Sequence, residues 1–373
     1  MQTRKILLTG GGTGGHIMPL LAVADELKKT NFADFEMYFI GPKNPFVSEF
    51  TERGISAYGI LGSKLRRYFS LLNLVDIPKF IIGFFQALFR LYILMPDIVF
   101  SKSGPGTFPV ILAARFYLIP VIIHESDAVP GLNNRMSAKF AKRIGVSFDS
   151  AAAYFEKSKV FVSGNPVRAE LLRDESPDSG AKAASGEKPL IFIYCGSQGA
   201  ARINQFVFDN LEILLKNFRI FHQTGEKNLA EARTITKSIL AELPGEAGES
   251  YRLEGFLNLD SLRTVFREAA IVVSRSGSSI FEIAAFGKPA ILIPLEGSAG
   301  NHQKANAYEY AKTGAAVVIE EANLKPNLFL SQLKNILEDK AKYSAMAAAA
   351  KNFARPDAAK IIAAEIFQIL SHS

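Results

Sequence analysis

Three stretches of the chain carry residue types at spacings that could do chemistry. The first is Gly10-Gly-Gly-Thr-Gly-Gly15, followed at once by His16. Glycines 10, 12 and 15 fit the G-x-G-x-x-G spacing of loops whose amides receive a phosphate. Dinucleotide binding also needs an acidic residue at the end of the second strand, to take the ribose diol. Here that strand ends Ile40-Gly41-Pro42-Lys43, and Asp34 and Glu36 precede it, so dinucleotide binding in this half is disfavoured. What remains is a flexible loop of amides at a helix start, suited to an anionic or hydroxyl-rich ligand. His16 opens that helix, where the dipole favours a neutral imidazole able to accept a proton. The plainer alternative is a capping or packing histidine.

The second stretch, Val272-Val-Ser-Arg-Ser-Gly-Ser-Ser-Ile-Phe-Glu282, reads as strand, glycine-serine loop and helix. A carboxylate at 282 can take both ribose hydroxyls while the loop amides face a phosphate. The alternative is an acid placed near a helix N-terminus for its dipole. The third, Gly196-Ser-Gln-Gly199, adds another nest of amides and the Ser197 hydroxyl. Two glycine loops on one cleft point to a diphosphate. The histidines, at 16, 124, 222, 302 and 372, form no HxxxH or HExxH set, and no DxD occurs. A metal held on paired aspartates is therefore disfavoured and no cofactor is called for. Diphosphate charge falls to helix N-termini and to Arg168 or Arg275.

The elements that must position these loops repeat in two sets. Apolar runs at 5–9, 36–41, 97–101 and 120–124 read as strands alternating with helical stretches, the first helix running over 16–28. The pattern restarts with strands at 189–195, 218–223, 271–274, 289–294 and 315–319, and a helix over 201–216. Strands alternating with helices indicate parallel sheets. The expectation is α/β: two doubly wound, Rossmann-like domains facing a cleft. The first spans 1–162 and the second 163–345, with a C-terminal segment, 346–373, packing back on the first. The stretch 174–188 is small, polar and aperiodic, and reads as a surface loop.

At 373 residues and 48% apolar content the chain can bury two cores, and 21% charged residues excludes wholesale disorder. Its one cysteine, Cys195, excludes an internal disulfide framework and fits a reducing compartment. The opening MQTRKILLTGGG lacks the apolar core of a secretory signal. The net charge of +7 lies wholly in residues 1–160, which hold 19 Lys+Arg against 12 Asp+Glu. A basic half suits an anionic partner. No nucleic-acid module or long basic run appears, so nucleic acid is not that partner. Residues 80–95 are strongly apolar and aromatic, interrupted by Gln86 and Arg90, with Lys64, Arg66, Arg67 and Lys79 upstream. The interruptions argue against a transmembrane span. Aromatics beside a basic cluster suit a helix lying in an anionic membrane surface, contacted through residues 64–95. The alternative is a core helix, but Phe80, Phe84, Phe85 and Phe89 are too many for one buried stripe.

Several motifs occur in order over most of the chain. They are Gly11-Gly-Thr-Gly-Gly-His-Ile-Met-Pro19, His124-Glu125, Gly131-Leu-Asn-Asn134, Gly164-Asn-Pro-Val-Arg168, Gly196-Ser-Gln-Gly-Ala200, Arg275-Ser-Gly277 with Glu282-Ile-Ala-Ala-Phe-Gly287, and Asn301-His-Gln303 with Asn306-Ala307. On these the chain resembles the MurG family of bacterial peptidoglycan glycosyltransferases, in glycosyltransferase family 28. The resemblance implies a GT-B fold and metal-free, inverting transfer of N-acetylglucosamine from UDP-GlcNAc to the C4 hydroxyl of MurNAc. The acceptor would be undecaprenyl-linked lipid I, and the enzyme a peripheral protein on the cytoplasmic face of the cell membrane, with cell-wall synthesis proteins as possible partners. By the same likeness Thr13, Gly14 and Gly15 line the donor sugar and diphosphate, and His16 is the candidate base with Glu125 as substitute. Asp127, Arg168 and Ser197 contact the donor, Leu257 meets uracil, Ser278, Ser279 and Glu282 form the nucleotide turn, and Gln303 and Asn306 read the GlcNAc hydroxyls.

Three departures from the family pattern stand out. The family's HEQN reads His124-Glu-Ser-Asp127, and an ionised Asp127 cannot donate as an amide can. The second glycine loop reads Ser103-Gly-Pro-Gly-Thr-Phe-Pro109 in place of GGYxSGP. The turn from Arg275 to Glu282 is one residue shorter. The competing readings are another GT-B glycolipid transferase, a UDP-GlcNAc 2-epimerase, and a non-catalytic nucleotide-sugar-binding membrane scaffold.

Overall fold

A computed structural model describes residues 3–30, 34–62, 73–173, 187–196, 199–243 and 245–371. Ser197, Lys64, Arg66, Arg67 and most of the 174–188 stretch lie outside the described residues. The described chain divides into two compact units. One holds residues 1–168 and 355–373, the other 169–354. The first stretch thus runs past 162 to Arg168, and the segment rejoining the first unit begins at Arg355, later than the expected 346.

The first unit is built on a seven-stranded parallel sheet: β1 (Arg4–Thr9), β2 (Phe35–Pro42), β3 (Ser56–Ile60), β4 (Ile98–Ser101), β5 (Val121–Glu125), β6 (Arg143–Val146) and β7 (Val160–Val162), in the order β3-β2-β1-β4-β5-β6-β7. Side chains alternate across β1. Ile6 and Leu8 join a core that includes Leu20 and Leu21 of the helix Gly14–Lys29, whereas Leu7 joins the opposite core with Val99, Ala87 and Leu91. Both faces are covered, which is why the inner strands read as continuous apolar runs. The helix Ala358–Ser371 contributes Ile362, Ile366 and Leu370 to the first of these cores.

The helix Asn73–Leu94 covers the other face with Ala87, Leu91 and Leu94. By length and composition alone its 76–94 stretch could cross a membrane, but this inner stripe is core. Its outer stripe, Ile77, Ile81, Ile82, Phe85, Phe89, Tyr92 and Ile93, is exposed. The four phenylalanines therefore divide. Phe80 packs near Phe108 and Phe84 lies partly in the core, while Phe85 and Phe89 point outward at 60% and 62% exposure.

The second unit carries a six-stranded parallel sheet: β8 (Leu190–Tyr194), β9 (Arg219–Gln223), β10 (Tyr251–Glu254), β11 (Ile271–Ser274), β12 (Ala290–Leu292) and β13 (Ala316–Val318), in the order β10-β9-β8-β11-β12-β13. The expected 201–216 helix is two, Ala201–Asp209 and Leu211–Asn217. Asn210 breaks it by turning its side-chain amide onto the Phe206 carbonyl, the local backbone competition that disfavours Asn inside helices. The helix Lys340–Phe353 stays with this unit, where Phe353 stacks on Phe281. In each sheet the strand order reverses beside the first strand, between β1 and β4 and between β8 and β11. In doubly wound sheets ligands bind outside the carboxyl ends of the strands at that reversal.

Candidate active site

In the first unit the loops after β1, β4 and β5 meet at the carboxyl edge of the sheet. Gly11 N donates to the Ser103 carbonyl at 2.8 Å, so the 10–13 and 103–106 loops run back to back. Their approach demands glycine. A Cβ on Gly104, whose φ is +107°, would lie 2.7 Å from the Gly11 Cα. Asn133 Nδ2 donates to the Gly104 carbonyl at 2.6 Å and ties in the third loop. The helix after β1 begins at Gly14, two residues before the expected start, so Gly14, Gly15 and His16 form its first turn. Thr13 precedes it in an extended conformation, and its hydroxyl makes no cap. That hydroxyl lies 2.8 Å from His16 Nδ1. Thr13, Gly14, Gly15 and His16 are all partly exposed, at the sheet edge where a ligand would sit.

Glu125 is placed differently from a freely acting base. It is buried at the end of β5, and both carboxylate oxygens are engaged. Oε1 accepts from Asp127 N at 2.9 Å, and Oε2 from Gly131 N at 3.1 Å and Asn134 Nδ2 at 2.9 Å. The carboxylate thus organises the 126–134 loop from beneath. Burial, then the neighbouring Asp127, push its pKa up to about 7. Beside it, Lys102 is fully buried, its ammonium without a hydrogen-bond partner among the described residues, and burial pushes its pKa down to about 8. His124 is buried too, with Nε2 2.9 Å from the Gly164 carbonyl. Burial, then Lys102, hold its pKa well below the usual imidazole range, so it is neutral and structural. Asp127 is partly exposed on the loop that Glu125 holds, and Arg168 ends the first stretch of this unit, also partly exposed.

In the second unit the equivalent edge carries the loops after β8 and β11. Gly196 and Gly199 both have positive φ, and a Cβ on Gly199 would lie 2.2 Å from the Thr224 carbonyl oxygen. The 275–278 turn is stitched from within. Ser276 Oγ donates to the Gln303 carbonyl at 2.7 Å, and Ser279 Oγ to the Arg275 carbonyl at 3.0 Å. Arg275 itself is committed: it pairs with Glu321 and donates to the Ile293 carbonyl at 3.0 Å, so it holds the turn rather than waiting for a diphosphate. Ser278 and Glu282 are half-buried along the short helix Ser279–Ala285 and its start. Tyr194 Oη donates to Glu282 Oε2 at 2.6 Å, a partnership that the sequence did not signal. Gln303 is half-buried, with Oε1 accepting from Leu295 N at 3.0 Å. Leu257 has its side chain buried, leaving its backbone as the part able to meet a ligand. Asn306 is only 1% exposed and donates to the Ser276 carbonyl at 3.0 Å, so it supports the turn.

Comparison with known proteins agrees with these motifs. The sequence matches the N-terminal domain of glycosyltransferase family 28 over residues 6–146 and its C-terminal domain over residues 190–362. It is 37% identical, over 89% of its length and 88% of the relative's, to the UDP-N-acetylglucosamine--N-acetylmuramyl-(pentapeptide) pyrophosphoryl-undecaprenol N-acetylglucosamine transferase of Treponema denticola. The crystal structure of MurG from Acinetobacter baumannii superposes with a TM-score of 0.72 at 25% identity, covering 98% of this chain and all of that one. The UDP-GlcNAc 2-epimerase of Neisseria meningitidis, bound to UDP-GlcNAc, superposes at 0.68 with 17% identity, covering 98% and 100%, and shares the fold alone. The chain belongs to glycosyltransferase family 28, in its MurG group.

Proposed function

We propose that the chain transfers N-acetylglucosamine from UDP-GlcNAc to the C4 hydroxyl of MurNAc in undecaprenyl-pyrophosphoryl-MurNAc-pentapeptide. The observation that carries this reading is the placement of the family's motifs. The glycine loop with His16 follows β1, and the turn leading to Glu282 follows β11, each at the strand-order reversal of its sheet. The epimerase fold is the same, so the fold cannot choose between the two chemistries. The family match does, since it covers both units with transferase relatives.

In this mechanism the acceptor oxygen attacks C1 of GlcNAc, the C1–O bond to the β-phosphate breaks, and its electron pair leaves with UDP, inverting the configuration. His16 takes the hydroxyl proton. Amides of Thr13, Gly14 and Gly15 receive developing diphosphate charge, each such donor being worth roughly 3 kcal/mol in a closed site. Arg168 and Ser197 add donor contacts, and Asp127 accepts from a sugar hydroxyl. Leu257 meets the uracil through its backbone, Ser278 and Ser279 frame the nucleotide, Glu282 accepts from the ribose and Gln303 reads the GlcNAc.

The exposed stripe of the Asn73–Leu94 helix supports membrane placement. Phe116 and Leu118 are also exposed, at 66% and 75%, on either side of Tyr117, whose ring lies 6.4 Å from that of Tyr92 on the helix. Contiguous apolar surface of this kind marks an interaction site. Set on a domain whose sequence carries the whole positive excess, it fits an anionic bilayer, with the enzyme peripheral on the cytoplasmic face. A transfer assay tests the function. Radiolabelled UDP-GlcNAc is offered with lipid I, with diacylglycerol and without lipid. Label moving to lipid I alone is expected. Transfer to diacylglycerol, or UDP release without any transfer, overturns the acceptor assignment.

A further inference from the structure

Tyr194 ends β8, and its backbone and its side chain are tied to opposite ends of one loop. Its carbonyl accepts from Ser274 Oγ at 2.7 Å, where β11 gives way to the 275–278 turn. Its hydroxyl donates to Glu282 Oε2 at 2.6 Å, on the helix that follows the turn. The two residues are 88 positions apart in sequence, so this contact exists only because β8 and β11 are neighbours. The ring is buried and braced. It stacks on Phe192 with centroids 5.1 Å apart and meets the edge of Phe266 at 5.3 Å. Phe266 in turn stacks on Phe286, which closes the helix bearing Glu282, at 4.7 Å and 8°. Phenol and carboxylate are thus fixed to one aromatic scaffold, which limits the rotamers open to Glu282.

A carboxylate that must accept from two adjacent hydroxyls needs its plane set before the ligand arrives, because orienting it on binding costs side-chain entropy. We propose that Tyr194 is a positioning residue that presents the Glu282 carboxylate to a vicinal diol. It thereby strengthens the preference of this enzyme for ribonucleotide over 2′-deoxyribonucleotide sugar donors. The proposal rests on the reading of Glu282 as the ribose acceptor.

Tyr194→Phe keeps the ring and removes only the hydroxyl. The test measures KM and kcat for UDP-GlcNAc and for its 2′-deoxyuridine analogue, with wild type, Tyr194→Phe and Glu282→Ala side by side. For Tyr194→Phe, KM for the ribo donor is expected to rise about three- to tenfold, the scale of one hydrogen bond, with kcat within about twofold. The ribo-to-deoxy ratio of kcat/KM should fall by a similar factor. Equal losses for both donors would mean that the phenol serves packing only, and would overturn the proposal. If Glu282→Ala abolished the discrimination while Tyr194→Phe kept it, positioning would fail and the ribose reading would stand. If Glu282→Ala left the discrimination intact, the ribose reading itself would fail and the proposal with it. Isothermal titration with UDP and with 2′-deoxy-UDP provides the same comparison without turnover.

Discussion

The Thr13 hydroxyl lies 2.8 Å from His16 Nδ1, at the first turn of the helix that follows the glycine loop. A histidine acting as base through Nε2 must carry its proton on Nδ1, and the Thr13 oxygen can accept a hydrogen bond from that N–H. His16→Ala is expected to lower kcat by about 10²–10⁴-fold, the usual contribution of a general base. A loss under about tenfold would remove His16 from that role. Thr13→Val should cost kcat several-fold by releasing the tautomer, and Thr13→Ser should restore it. If Val and Ser behaved alike, the contact would have no part in orienting the ring.

The buried pair Glu125 and Lys102 makes opposite contributions to stability on either side of neutrality. Burial holds the Glu125 carboxyl at about 7 in the folded protein, above its ordinary 4.5. Between those values the folded state binds more protons than the unfolded one, so stability falls as pH rises from about 4.5 to 7. Lys102 is held near 8 against an ordinary 10.5. Between those values the folded state binds fewer protons, so stability climbs as pH rises from about 8 to 10.5. A shallow minimum in melting temperature near pH 7–8 is therefore expected from this pair. Glu125→Gln should flatten the acid limb and Lys102→Met the alkaline one, each by about 1–3 kcal/mol over its window. Melting curves from pH 4.5 to 10.5 check this, and parallel profiles for all three proteins would contradict it.

The parts of the fold that the sequence made plain are those buried on both faces. β1, β4, β5, β8, β11 and β12 lie inside their sheets and are wholly or mostly buried, so each is an apolar run. The strands with no long apolar run include β3, β7 and β10, each at a sheet edge with mixed exposure, and β6, only four residues long and containing Gly145. The site divides in the same way. Loop glycines and His16 are local motifs and could be read directly. That Glu125 would bind three groups of its own loop, that Asn306 would support the turn and that Tyr194 would grip Glu282 depend on packing between distant segments. No spacing rule encodes such contacts.

Contact between the two glycine loops gives a sharp contrast among glycines. Gly104→Ala places a methyl 2.7 Å from the Gly11 Cα and 3.0 Å from His16 Cδ2, in a backbone conformation that L residues avoid. Strain alone costs about 1–3 kcal/mol, and relieving the overlap must shift the loop that carries His16. Both melting temperature and kcat should fall. Gly131→Ala is the control: nothing among the described residues lies within 4 Å of the added carbon, and the amide that serves Glu125 is retained. Its effect should stay within about 0.5 kcal/mol. A Gly104→Ala enzyme with wild-type activity would show that the two loops can separate without penalty.

The two stripes of the Asn73–Leu94 helix can be separated by mutation. Phe85 and Phe89 are among its most exposed large side chains, whereas Leu91 is fully buried against the sheet. Replacing Phe85 and Phe89 together by Ser should leave the melting temperature close to wild type, since neither is buried in the core. Leu91→Ser should destabilise the fold by about 2–5 kcal/mol, as loss of a buried leucine does. Cosedimentation with anionic vesicles should fall several-fold for the double serine variant, and transfer to lipid I in vesicles should fall with it. Transfer to a short-chain, detergent-soluble acceptor should be unchanged, because the groups at the loops after β1 and β11 are untouched. Vesicle binding equal to wild type would mean that this apolar face is not what holds the protein at a bilayer.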